Sequence, residues 1–96
     1  MPQDALHAGN GVEMEYTRYF LHTRNRSDRI NIRLEWIQQV VENAEHEKIQ
    51  SDGRIRRWKK IAESGDRYLR VILLEDGKTV HNAFFDRSFR ENGDEN

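Results

Sequence analysis

His81 and the arginines at positions 56, 70 and 87 are the residues of this sequence best suited to chemistry on a phosphate. An imidazole titrates near neutral pH and can take up and return a proton. A guanidinium presents a fork of donors that matches phosphate oxygens and stabilises charge developing on them. Trp58 and Tyr68 add ring faces on which unstacked bases can lie, and Lys60 adds a further cation. Cations interleaved with aromatics are what single-stranded RNA recognition uses. The same residues also suit an ordinary half-exposed antiparallel sheet, in which a lone His is commonly a hydrogen-bonding residue. Residue type alone leaves both readings open.

Other chemistries find no spacing to support them. The absence of Cys excludes a disulfide framework and any thiolate metal site. His7, His22 and His46 are scattered, with no HExxH pair, so neither a metal nor any other cofactor is expected. A Gly-rich phosphate loop and a nucleophile elbow are both missing. Arg24, Arg26, Arg29 and Arg33 form a second basic group, which reads as a solvated surface or as a holder for phosphate backbone or an acidic protein. Asp86 and Arg87 suggest an ion pair closing the last strand, with Arg87 at a pocket edge as the sharper alternative.

The elements that must position these side chains are set by three turn signals: Asp52-Gly53, Gly65-Asp66 and Asp76-Gly77. Asp-Gly between apolar runs is a strong hairpin signal, because Gly accepts the positive φ that tight hairpin turns require. The expected strands run from about Glu47 to Gln50, Arg54 to Ala62, Arg67 to Leu74 and Lys78 to Phe85, as an antiparallel meander. Side chains alternate along a strand. Ile55 and Ile61, then Leu69, Val71 and Leu73, then Val80 and Phe84, are therefore expected on the core face. Arg56, Trp58, Lys60, Tyr68, Arg70 and His81 are expected on the uncovered face, with Thr79, Ala83 and Phe85 beside them.

Ahead of the meander, Tyr16, Tyr19, Phe20 and Thr23 recur at helical spacing and suggest a short helix to about Arg26, although a strand also fits so short a run. A second helix is expected from about Arg33 to Glu45, with Ile37, Val40, Val41 and Ala44 forming its buried stripe and Trp36 flanking it. The expected fold class is α+β, with two N-terminal helices packed on one face of a four-stranded antiparallel meander sheet.

With 96 residues the chain makes one domain, and because charged residues (34%) are as frequent as hydrophobic ones (35%), its core must be concentrated in few positions. Residues 1–13 and the acidic tail 91–96 read as disordered segments flanking a single domain over 14–90. The net charge of −1 argues against a strongly electrostatic binder, but all 16 Lys and Arg lie between Arg18 and Arg90, facing eleven Asp and Glu there. The middle of the chain is mildly basic. The longest apolar run, Val71 to Leu74, is far too short to span a bilayer, and the first residues do not read as a secretory signal. A cytoplasmic protein without a membrane partner is expected.

The runs Ile49-Gln50-Ser51-Asp52-Gly53-Arg54-Ile55-Arg56-Arg57-Trp58, Tyr68 to Gly77 and Thr79 to Arg87, with the preceding Trp36-Ile37 helix, resemble a group of small bacterial domains of unknown function that look like relatives of the BrnT, RelE and ParE toxins. The resemblance implies a RelE-like fold with helices on one side of a small antiparallel sheet. It also implies a toxin-antitoxin type of role. In RelE-type and BrnT-type toxins the open sheet face binds and cleaves RNA, whereas ParE-type relatives act on DNA gyrase. Carried over, it implies a metal-independent endoribonuclease or RNA-binding protein. Arg56, Arg70 and Arg87 would then meet phosphate, and His81 would transfer the proton. Single-stranded RNA and an antitoxin-like chain are the implied partners. The chain departs from RelE-type nucleases in being less basic and in having no Tyr after Tyr68. A noncatalytic protein-interaction module on the same fold is the alternative.

Overall fold

A computed structural model describes residues 14–89; the readings of residues 1–13 and 91–96 as disordered lie outside the described residues. Its elements are β1 (Glu15–Tyr16), α1 (Arg18–Thr23), α2 (Leu34–Asn43), β2 (His46–Ile49), β3 (Ile55–Ile61), a 3-10 turn (Ala62–Ser64), β4 (Arg67–Leu73) and β5 (Thr79–Phe85). The architecture is α+β. The sheet has five strands in the order β1-β5-β4-β3-β2. Strands β2 to β5 form the expected antiparallel meander, but β1 pairs in parallel with β5 through Glu15↔Thr79 and Tyr16↔Val80, which corrects the expectation of a purely antiparallel four-stranded sheet. Two backbone bonds hold this pair, from Glu15 N–H to the Lys78 carbonyl (3.1 Å) and from Thr17 N–H to the Val80 carbonyl (3.0 Å).

Thr17 ends β1 and caps α1. Its extended backbone (φ −75°, ψ 161°) lets Oγ1 accept the Phe20 N–H, supplying one of the bonds that a helix N-terminus lacks. The helix is only six residues long and buries Phe20 and Thr23, while Tyr19 points outward. Tyr16 therefore belongs to the sheet, and its ring stacks on Phe20 with centroids 5.3 Å apart.

The second helix follows its stripe: Trp36, Ile37, Val40 and Val41 are buried against β3 and β4. Its C-terminus has no glycine cap. Instead Arg57 reaches up from β3 and donates Nη1–H to the Val41 carbonyl (2.8 Å), while its Nε–H bonds Glu47 (2.8 Å).

The hairpin turns form where Asp-Gly places them. Gly53 and Gly77 have φ of +93° and +74°, and the Asp52 and Asp76 carboxylates accept the N–H groups of Arg54 and Lys78.

One register shift decides the faces of β5. Leu73 pairs with Val80, but Ile72 pairs with Asn82, so His81 is an extra residue in a β-bulge. Beyond it the alternation is reversed. Ala83 opposes Val71 and is buried, Phe85 opposes Leu69 and meets Trp36 edge-on at 6.2 Å, and Phe84 turns to the other face opposite Arg70. The expectation that Phe84 is core while Ala83 and Phe85 lie on the far side is thereby corrected.

On the helix side, Ile61, Leu69, Val71, Leu73, Val80 and Ala83 pack with Phe20, Ile32 and the α2 stripe. Each fully buried aliphatic side chain contributes about 1.5–3 kcal/mol of apolar transfer.

A candidate nucleic-acid interface on the second sheet face

Register assembles the second face row by row, since directly paired residues project to the same side. His46, Trp58, Arg70 and Phe84 form one row across four strands; Lys48, Arg56, Ile72 and Asn82 form the next; Lys60 and Tyr68 pair beyond. The expectation of Arg56, Trp58, Lys60, Tyr68 and Arg70 on one face is met. His46 joins them because β2 begins one residue earlier than expected, so His81 is not the only His in the strands.

These residues face one another more than solvent. Trp58 is 3% exposed and Phe89 7%, with their rings stacked at 4.8 Å and 21°. Asp86 is the hub beneath them. Its Oδ2 accepts Trp58 Nε1–H (3.0 Å), Arg70 Nε–H (3.0 Å) and Arg70 Nη2–H (2.8 Å), while Oδ1 accepts the Ser88 N–H (3.0 Å) and hydroxyl (2.8 Å). Burial pushes the Asp86 carboxyl up, but the hydrogen bonds from Trp58, Ser88 and Arg70 and the Arg70 charge outweigh it and hold the group down at about 2. Arg70 therefore carries a permanent counter-ion, and Asp86 pairs with Arg70 rather than with its neighbour Arg87.

The row extends into a ladder of alternating rings and guanidinium groups. Arg70 lies 5.4 Å from the Trp58 ring and 5.0 Å from Phe84, and Arg29 lies 5.2 Å from the other neighbour it shares, Phe84, while donating Nη1–H to Asn82 Oδ1 (2.8 Å). Of the second basic group, then, Arg29 is tied to the sheet.

His81 stands apart from this ladder. Its ring stacks on Tyr19 (4.8 Å), and Nδ1 lies 3.2 Å from Thr17 Oγ1, the atom that caps α1. Burial lowers its pKa, and the Arg54 charge lowers it further, which favours the neutral ring. Among the described residues no hydrogen bond brings His81 and Arg70 onto common partners.

The remaining cations form a strip at the β2 side. Lys48 is exposed, Arg56 is half-buried with Nε–H on Gln50 Oε1 (2.7 Å), Lys60 lies over the Tyr68 ring (5.7 Å), and Arg54, just before β3, pairs with Asp52 (3.9 Å) beside Glu75 and Asp76. From β2 to β5 none of the strand residues on this face is acidic, while on β1 Glu15 lies on this face beside Thr79 at the far edge. Arg87 is exposed and lines a recess of about 210 Å³ with Arg67, Tyr68, Phe89 and the carboxylates of Asp66 and Asp86.

Asp86, Phe89, His46, Phe84 and Arg29 are the members of this face that sequence reasoning missed. A local signal existed for Asp86, whose Ser two positions later completes a side-chain turn. Among the described residues no three His, Asp or Glu side chains gather to hold a metal, and no helix is long and apolar enough to cross a membrane.

No protein-family model matches this chain, and no curated protein or solved structure shows significant similarity to it.

Proposed function

We propose that this protein binds single-stranded RNA through the phosphate backbone, along the strip of Lys48, Arg54, Arg56 and Lys60. One observation carries the reading: from β2 to β5 the strand residues of this face include Lys48, Arg56, Lys60 and Arg70 and no acid, with Glu15 of β1 at the far edge of the sheet and Asp86 matched to Arg70. A face on which cations outnumber acids favours a polyanion, whatever the net charge of the chain. A role of toxin-antitoxin type, with RNA cleavage by His81 and Arg70, is the stronger form of the same proposal. Binding is the better supported part, because His81 is engaged by Thr17 and Tyr19, and Arg70 by Asp86.

A second reading, docking of an antitoxin-like protein by strand addition, is favoured by β2. It is an edge strand, and its Ile49 is 57% exposed.

Titration of labelled single-stranded RNA at rising salt separates the two. RNA binding predicts affinity that falls steeply with salt, and an Arg56→Ala variant whose slope of log K against log salt is shallower by about 0.7. Cleavage read in the same samples, with and without EDTA, tests the stronger form. RNA affinity that is absent, or unchanged by Lys48→Glu with Arg56→Glu in a folded protein, overturns the proposal in favour of protein docking.

A further inference from the structure

Phe89 sits in a box made by other rings. Trp58 lies beneath it in parallel stacking, and His46 and Tyr68 stand at its sides, each with its centroid 4.9 Å from Phe89 and tilted by 58°. The three walls belong to β2, β3 and β4, one per strand, so the sheet itself holds their spacing. The occupant does not belong to the sheet. It follows β5 by four residues, on a segment whose Arg87 and Ser88 are exposed. The floor is held by bonds that do not involve the Phe89 ring, because Trp58 is oriented by its Nε1–H bond to Asp86, and Asp86 is anchored through its N–H to the Tyr68 carbonyl (2.9 Å) and its carboxylate to Arg70. Beside the box, exposed Arg87 lines the recess that opens against Tyr68 and Phe89, while Arg67 at its rim lies over the Phe85 ring (4.0 Å).

We propose that this box is a stacking site for a nucleobase and that Phe89 occupies it in place of the base, a flat ring exchanging for a flat ring when RNA binds. This rests on the RNA-binding reading. Stacking on Trp58 supplies the sequence-tolerant part of recognition, while Arg87 meets the phosphate attached to the stacked nucleotide, with the acid of Asp66 in the same recess setting how closely it approaches. Removing the internal ring leaves the walls in place and the site open.

The test compares the full chain with its Phe89→Ala variant. Octauridylate binding is measured beside that of an abasic oligonucleotide of equal length, following the indole N–H resonance of Trp58. The expected result is a gain of about five- to 100-fold for octauridylate on removing Phe89, a shift of the Trp58 resonance, and no gain for the abasic strand. Equal, salt-sensitive octauridylate binding by both chains overturns the stacking site and leaves backbone binding standing. No binding by either chain overturns both. If Phe89→Ala does not fold, the native chain decides: a Trp58 indole shift that saturates with octauridylate and is absent with the abasic strand supports the site, and its absence with octauridylate overturns it.

Discussion

Arg70 donates both Nε–H and Nη2–H to a single oxygen of Asp86, at 3.0 and 2.8 Å, and that oxygen also accepts the Trp58 indole at 3.0 Å. The pair joins the middle of β4 to the residue that leaves β5, and so locks the chain's return across the second face. Side-chain exposure is 19% for Arg70 and 6% for Asp86, so removing either partner strands a charge that is largely out of water.

Asp86→Ala is therefore expected to lower stability by about 2–4 kcal/mol, as read by urea denaturation. Asp86→Asn, which keeps the shape and part of the hydrogen bonding, is expected to cost less. The loss in both variants is accompanied by greater solvent exposure of Trp58, seen as a red-shifted emission in a Trp36→Phe background.

The same carboxylate sets an acid limit. Its folded pKa, about 2, is below the ordinary 3.8, so the unfolded chain binds the proton more readily. The stabilisation is complete well above pH 3.8 and drains away as pH falls through 3.8 toward 2. Stability measured from pH 5 down to pH 2 is expected to fall less steeply in Asp86→Asn than in the native chain.

His81 sets a second, milder dependence in the same direction. The ring meets Thr17 Oγ1, which already accepts the Phe20 N–H, and it stacks on Tyr19 with the Arg54 charge nearby. A neutral imidazole suits this setting, and its pKa is lowered from 6.5 in the fold. Stability is then fully present above about pH 6.5 and is lost as pH falls below that value through the lower folded pKa. Denaturation midpoints between pH 8 and 5 are expected to decline, with a shallower decline in His81→Asn.

The bulge makes neighbouring positions respond oppositely to size. Ala83 is buried against Val71, so Ala83→Leu overpacks the core and is expected to cost about 1–3 kcal/mol in thermal or urea denaturation. Phe84→Leu removes a ring from the guanidinium ladder on a half-buried face and is expected to cost about 1 kcal/mol or less, the scale of a partly exposed cation–π contact. The opposite ranking would mean that β5 keeps a regular alternation.

Local chemistry alone determined much of this protein. Asp52-Gly53 and Asp76-Gly77 set the hairpins because their backbone geometry is a property of those residues, and the Ile37, Val40, Val41 stripe set α2 because an apolar face has to be buried. The faces of β3 and β4 were equally legible, since their pairing runs without a break from Ile55↔Leu73 to Ile61↔Arg67. Tertiary structure decided the rest. Counting from the Asp76-Gly77 turn places His81 opposite Ile72 and Ala83 opposite Arg70; the bulge at His81 replaces them with Asn82 and Phe84. That bulge follows the point where β1 ends on Val80 and Thr17 reaches His81, contacts 64 residues apart in sequence for which no local pattern exists. The burial of Trp58 was likewise beyond the reach of alternation, which says to which side of a sheet a ring points but not whether Phe89, brought back by the Asp86–Arg70 pair, lies on top of it.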